Sequence, residues 1–295
     1  MNLRHTRAWG RALGAATVIF AVLSTMAGAA DTRTDTALKA AIADSSRKPA
    51  NALRDVYRHP YETLTFWGLK PGLSVVEVSP GGGYWTEILA PYAKATGSHY
   101  AATVPDLSGP NVSEQVRKNS QQFQARFAAE DKFGKIRWVA WGENGGPLGA
   151  PNSADIVITA RNIHDWMWTA GRLDKALSDF YAVLKHGGIL AVEEHRADPR
   201  PQVPDAHDGY VNTSYLVAAV QKAGFKLDAS SEINANPKDT KDYPFGVWTL
   251  PPTNAKTLPA SLVTWPGRPS DATIDPDKYQ AIGESDRMTL RFRKP

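Results

Sequence analysis

The twelve residues Val75-Val76-Glu77-Val78-Ser79-Pro80-Gly81-Gly82-Gly83-Tyr84-Trp85-Thr86 constrain the fold more than any other stretch of the chain. An apolar run from Leu73 to Val78 stops at Pro-Gly-Gly-Gly. A helical pattern follows, with Trp85, Ile88, Leu89 and Tyr92 spaced to share one face. The segment predicts a strand, a tight turn and a helix. Glycine suits such a turn because a backbone without Cβ takes positive φ and lets a ligand come close. The free N–H groups and positive dipole end of the helix then face whatever lies above the turn. In open α/β sheets, ligands bind at that place, past the carboxyl ends of the strands. No Lys-Ser/Thr pair follows the glycines, so this is not a Walker loop, and the G-x-G-x-x-G spacing of a dinucleotide fingerprint is not met.

The rest of the chain repeats the same rhythm. Strands are predicted over Leu73–Val78, His99–Val104, Ile136–Trp141, Ala154–Ala160 and Ile189–Val192, and from Phe225 onward. Ala154–Ala160 reads as buried on both faces. Met288, Leu290 and Phe292 alternate with polar residues, which predicts a final strand with one buried face. Helices are expected from the glycine turn to about Ala95, with Gly97 as stop, and after the capping sequence Asn111-Val112-Ser113-Glu114. Others are expected along the stripe Leu173, Leu177, Phe180, Leu184, ended by Gly187-Gly188, and over Thr213–Ala223. Asn51–Gly68 reads as one or two helices. Leu53, Val56, Tyr57, Leu64, Phe66 and Trp67 form its apolar side, and Pro60 opens a first turn. This alternation predicts an α/β fold with a doubly wound, mostly parallel sheet. Residues 233–286 break the rhythm. They carry eight prolines and are too long for an ordinary loop, so they read as an insertion that folds over the cleft and offers Trp248 or Trp265 to a ligand.

The N-terminus carries an address. Arg4, Arg7 and Arg11 precede an apolar run from Leu13 to Met26 and then Ala27-Gly28-Ala29. That is a cleavable signal peptide over residues 1–29, too short for a comfortable membrane span, and it predicts a periplasmic or secreted protein. Residues 30–50 read as a loosely held N-terminal arm, and 51–295 as one domain with a proline-rich insertion at about 233–286. Removing the leader takes away three of the 34 basic residues and none of the 30 acids, so the net charge falls from +4 to +1. Such a balance gives no electrostatic case for nucleic acid or a membrane surface. No apolar run after the leader is long enough to span a bilayer. There is no cysteine, hence no disulfide and no lipid attachment at a cysteine, and the fold depends on its core.

Glu77 followed by Ser-Pro-Gly-Gly-Gly-Tyr resembles motif I of the class I S-adenosylmethionine (SAM) dependent methyltransferases, acidic-x-G-x-G-x-G, with Ser79 at the first glycine. The likeness extends in order through Asn162-Ile163-His164-Asp165-Trp166, Leu184-Lys185-His186-Gly187-Gly188, Glu193-Glu194-His195-Arg196, Ala223-Gly224-Phe225 and Phe292-Arg293-Lys294-Pro295. Together these stretches resemble the exported predicted methyltransferases, a branch of that fold. The resemblance implies a Rossmann-like seven-stranded sheet in the order 3-2-1-4-5-7-6 with the last strand antiparallel. It implies SAM as cofactor, held by Glu77, Ser79, Gly81, Gly82, Gly83, Tyr84, Thr103 and Asn162. Thr103 stands where class I enzymes carry the acid that binds the ribose hydroxyls, and the next carboxylate is Asp106.

His164-Asp165 follows the fourth strand and Glu194-His195 the fifth, so the implied sheet order brings them together above it. Histidine titrates near neutrality and can take a proton from a methyl acceptor. The expected catalytic set is His164 as base, oriented by Asp165, with Glu194 and His195 on the substrate. No residue is assigned as a metal ligand. Three functions stay open at this point: SAM-dependent methyl transfer in the cell envelope, non-catalytic binding of a nucleoside or other small molecule on the same fold, and metal-dependent catalysis at the His164/His195 loops.

Overall fold

A computed structural model describes residues 36–143, 145–255 and 275–295. The expected leader, Trp265 and residues 256–274 of the 233–286 segment lie outside the described residues. Seven strands form one sheet: β1 (Ser74–Val78), β2 (His99–Pro105), β3 (Arg137–Trp141), β4 (Ala154–Ala160), β5 (Leu184–His195), β6 (Lys226–Ser231) and β7 (Arg287–Arg293). Their order is β3-β2-β1-β4-β5-β7-β6. β7 runs antiparallel to both its neighbours and the other pairs are parallel.

Strand side chains alternate between two cores. Val76, Ala101, Val157, Leu190 and Val192 face one side, under α4 (Arg172–Val183) and α5 (Thr213–Lys222). Val75, Ala102, Ile156, Ile158 and Ala191 face the other, under α2 (Thr86–Thr96) and the segment before β1 that includes α1 (Pro60–Phe66). α3 (Glu114–Arg126) lies against β2, with Ser113 at its N-cap accepting from Val116 N. No helix among the described residues is long and apolar enough to cross a membrane.

Four expectations are corrected. The described part of the 30–50 arm is docked, not loose: residues 36–42 are helical, Leu38 and Ala41 are buried in the second core, and Arg47 grips Asp55 through both terminal nitrogens at 2.7 and 2.8 Å. The helical turns Pro49–Ala52 and Asp55–Arg58 point Leu53 and Val56 outward, 75% and 69% exposed, and bury Arg58 instead. The buried partner that draws the arginine inward is Glu284, a residue far away in sequence. α4 ends at Val183, and Leu184 already pairs with Ala154, so Gly187-Gly188 lies within β5, where the register shifts, and not at a helix end. Finally, β7 is buried on both faces. It sits inside the sheet, and its polar residues have partners from other elements: Thr289 accepts from the buried Asn234 at 2.9 Å and Arg291 donates to the Phe66 carbonyl at 2.6 Å.

Candidate active site at the carboxyl edge of the sheet

The glycine turn leaves β1 through two residues in the left-handed region, Ser79 at φ 51° and Gly81 at φ 58°. Ser79 stands in a backbone conformation that glycine takes at lower cost, which is why the pattern asks for glycine there. The strained turn is latched from both sides. Ser79 N donates to Thr103 Oγ1 at 2.8 Å, and Asn162 Nδ2 donates to the Val78 carbonyl at 3.2 Å and to Thr159 Oγ1 at 3.1 Å. Thr103 and Asn162 thus position the turn. Gly83 serves packing, since a Cβ there would lie 3.0 Å from both Phe123 and Phe127. A Cβ at Gly81 or Gly82 would meet nothing within 4 Å.

Above the turn is a cavity of about 480 Å³. Its floor is Ser79–Gly81, its far end Trp141–Gly142, and its walls are Thr103–Asp106, Val116 and Phe123 of α3, and Arg172. The volume suits a nucleoside-sized ligand. Val116 and Phe123 supply apolar and aromatic lining, and Asp106 a carboxylate, which accepts from Ser108 N at 3.0 Å within its own loop. That bond holds Asp106 below the usual carboxylate range, so it is ionised at neutral pH. Asp106 is the first carboxylate after β2 and lines the cavity together with Thr103.

Of the expected cofactor residues, Ser79, Gly81 and Thr103 line this cavity, and Glu77, Gly82, Gly83, Tyr84 and Asn162 do not. Glu77 alternates to the opposite face of β1, where its carboxylate is buried and takes hydrogen bonds from Thr86 Oγ1 (2.8 Å) and from the Tyr100 hydroxyl. Burial pushes the Glu77 carboxyl up to about 7, despite those two hydroxyls. Glu77 therefore braces the start of α2 against β2. Tyr84 is likewise buried, donating to Asp55 Oδ1 at 2.7 Å.

The second cluster does assemble. Glu194, fully buried at the end of β5, is its hub. Glu194 Oε2 accepts from the backbone N–H groups of Ile163 (2.6 Å) and His164 (3.3 Å) at the start of α-helical turn Ile163–Trp166. Oε1 accepts from His195 N at 2.8 Å and meets His164 Nδ1 at 2.9 Å. Nε2 of His164 lies 3.3 Å from Asp165. Burial opposes charge on the His164 ring, but the adjacent Glu194 and Asp165 outweigh it and hold its pKa above the ordinary value. His195 differs. Its ring centre lies 5.1 Å from that of His164, and Nδ1 meets Ser285 Oγ at 2.5 Å. Burial, His164 and two arginines push its pKa well below the ordinary value. The two rings are therefore shifted in opposite directions, His164 between carboxylates towards its charged form and His195 towards its neutral one. Both ring nitrogens of His164, the expected base, face carboxylates, Nδ1 that of Glu194 and Nε2 that of Asp165.

His164, Glu194 and His195 each place one ligand-type atom within 4.8 Å of the others. Glu194, however, already receives four donors, which leaves its oxygens little capacity for a cation. Trp168 and Trp248 roof the cluster. The Trp248 ring centre lies 5.7 Å from that of His164 and 6.0 Å from that of Trp168. Trp248 belongs to the proline-rich segment, so its described part does cover the carboxyl edge of the sheet. Trp166, by contrast, is core, packed edge-on to Trp141 at 5.5 Å.

No model of a known protein family and no curated protein sequence matches the chain. Among solved structures it is similar to a SAM-dependent methyltransferase from Aquifex aeolicus, at 18% identity and TM-score 0.46, covering 68% of this chain and 93% of that one. It is similar to the [4+2]-cyclase SpnF at 14% identity and TM-score 0.49, over 90% and 94% of the two chains. It is also similar to an arsenic(III) SAM methyltransferase from Chlamydomonas reinhardtii at 16% identity and TM-score 0.45, over 88% and 73%. With its strands in the order 3-2-1-4-5-7-6 and β7 antiparallel, the chain has the Rossmann-like fold of the class I SAM-dependent methyltransferases.

Proposed function

We propose that the protein is a SAM-dependent methyltransferase of the cell envelope acting on a small molecule. The observation that carries this reading is the cavity itself. It stands at the carboxyl ends of β1, β2 and β3, over a glycine turn whose Gly81 leaves open space, and is lined by an ionised Asp106 and the aromatic Phe123. Those residues fit an adenosyl cofactor: Phe123 and Val116 suit the base, Asp106 the ribose hydroxyls and Ser79–Gly81 the methionine portion. SAM, when bound, supplies an electrophilic methyl group on a sulfonium. Location in the envelope is supported by the basic, apolar and small-residue order of the N-terminus.

The chain's own contribution is proton handling. His195 is neutral, half-buried and oriented by Ser285, so its free Nε2 is suited to accept the acceptor's proton. His164, whose ring Glu194 and Asp165 bias towards the charged form, lies beside it, and Glu194 is the positioning residue that holds both histidine backbones. Trp168 and Trp248 exclude water from the rings they cover.

Calorimetry of the purified chain with SAM and S-adenosylhomocysteine tests the reading. Binding should be 1:1, and Asp106→Asn should weaken it about ten- to a hundredfold, the worth of charge-assisted hydrogen bonds. Absence of heat with either nucleoside would overturn it. Binding by both without turnover of any acceptor would leave a non-catalytic binding protein.

A further inference from the structure

Beside the glycine turn, four arginines meet with too few acids to balance them. Arg54 and Arg58 come from the helical turns before β1, Arg161 follows β4, and Arg287 opens β7. Among the described residues two carboxylates serve them. Glu284 accepts from Nε of Arg54 at 2.5 Å, Nε of Arg58 at 3.0 Å and Nη1 of Arg287 at 2.8 Å, with Arg161 Nη1 3.9 Å away. Glu193 lies 2.9 Å from Arg287 Nη1, but neither of its oxygens receives a hydrogen bond of proper geometry. Four cations against two anions leave a formal excess of two positive charges.

The arginines are also underused as donors. Both Nη atoms of Arg58, Nη2 of Arg54, and Nε of Arg161 and of Arg287 are buried with no partner. The Arg58 and Arg287 side chains are 0% and 1% exposed. Tyr84 stacks on the Arg58 guanidinium at 4.4 Å, which covers its face and leaves the in-plane N–H groups free. Arg161 is aimed by a left-handed backbone, φ 61°, a costly conformation for a side chain of that size. A folded protein does not bury guanidinium edges without acceptors unless something else supplies them.

We propose that this cluster binds a phosphoryl group of a small ligand, the acidic part of the methyl acceptor. Guanidinium forks pair with phosphate oxygens. Here the forks arrive from three separate parts of the chain, which matches a tetrahedral oxyanion with several acceptor oxygens better than a planar carboxylate with two. A doubly charged phosphate also balances the excess of two. Arg54 and Arg161, 18% and 22% exposed, form the outer rim, and Arg58 and Arg287 lie behind them. The site is at the carboxyl ends of β4 and β5, next to His195, where an acceptor would place its reacting atom. Its role as acceptor site rests on the methyl-transfer reading; the anion site does not.

The test is titration of the full chain with inorganic phosphate in a phosphate-free buffer, with chloride and acetate at matched ionic strength as comparison. Phosphate should bind saturably and raise the melting temperature, and the matched salts should not. Arg161→Gln, on the rim, should keep the fold and weaken phosphate binding about tenfold. Arg54→Gln should do the same, which guards against one variant that misfolds. Phosphate no better than chloride, or undiminished binding in both rim variants, would overturn the site. Competitive displacement of phosphate by S-adenosylhomocysteine would overturn its assignment to the acceptor. Failure of the methyl-transfer reading looks different: phosphate binds and neither SAM nor its product does.

Discussion

Glu77→Gln separates the brace from the cofactor site. The Glu77 carboxyl ionises at about 7 in the folded chain against an ordinary 4.5, chiefly because it is buried. Below pH 4.5 both folded and unfolded states hold the proton. Between 4.5 and about 7 only the folded state does, and above that neither does. Stability therefore falls as pH rises through this window. Some 2.5 pH units at about 1.4 kcal/mol each give a loss on the order of 3 kcal/mol in the wild type. Both donors, Thr86 and Tyr100, converge on one oxygen, Oε2. A glutamine with its carbonyl oxygen there keeps both bonds and carries no charge to bury. Urea denaturation of the two proteins at pH 4 and pH 8, followed by circular dichroism, gives the comparison. The difference in stability, variant minus wild type, should grow by about 3 kcal/mol from pH 4 to pH 8. SAM affinity should stay within a few fold, because the carboxylate does not face the cavity. A difference independent of pH would refute the account of Glu77, and loss of SAM binding in a folded variant would return Glu77 to the cofactor site.

Three further outcomes follow from the same geometry. Ser79→Gly should raise stability by roughly 1 kcal/mol in thermal or urea melts, because it relieves a left-handed serine; a destabilised variant would show that the Ser79 side chain holds more than its backbone. Glu194→Ala should cost about 3–5 kcal/mol in urea unfolding, since it strands three backbone N–H groups and the His164 ring; a loss under about 1 kcal/mol would remove Glu194 as the hub. In an NMR titration His164 should ionise above 6.5 and His195 far below. The stability from His164 is then complete below pH 6.5 and lost as pH rises through its folded pKa; the reverse order of the two histidines would exclude His195 as base.

The order of strands and the ligand edge were legible because they depend on local patterns. An apolar run, a glycine turn and a 3.6-residue stripe are decided by neighbours in sequence, and β4 falls where its seven residues predict. Long-range pairings were not legible. Nothing near Arg58 in the sequence reveals Glu284, so the apolar spacing of Leu53, Val56 and Tyr57 pointed to the wrong buried face. The alternation in β7 is that of a half-exposed strand, because its polar residues are satisfied by partners from other elements. Glu193 and Glu194 are adjacent in sequence yet serve opposite faces of the sheet, and only the pleat assigns one to the arginines and the other to the histidines. Asp106 was visible as a carboxylate but stood past the expected position.

The place of β7 has a kinetic consequence. β6 pairs with β7 alone, and β5 has no partner on that side until β7 arrives, after every other strand in the sequence. Insertion between two waiting edges closes long loops at once, and such non-local steps are slow. Until it happens, the chain presents two unpaired strand edges, the template on which other chains assemble. The same closing step brings Arg287 and its neighbour Glu284 into the arginine cluster, so completion of the sheet and completion of that cluster are one event. An anion that binds the cluster would then act on folding as well, by holding the inserted strand in place and shortening the life of the open-edged form.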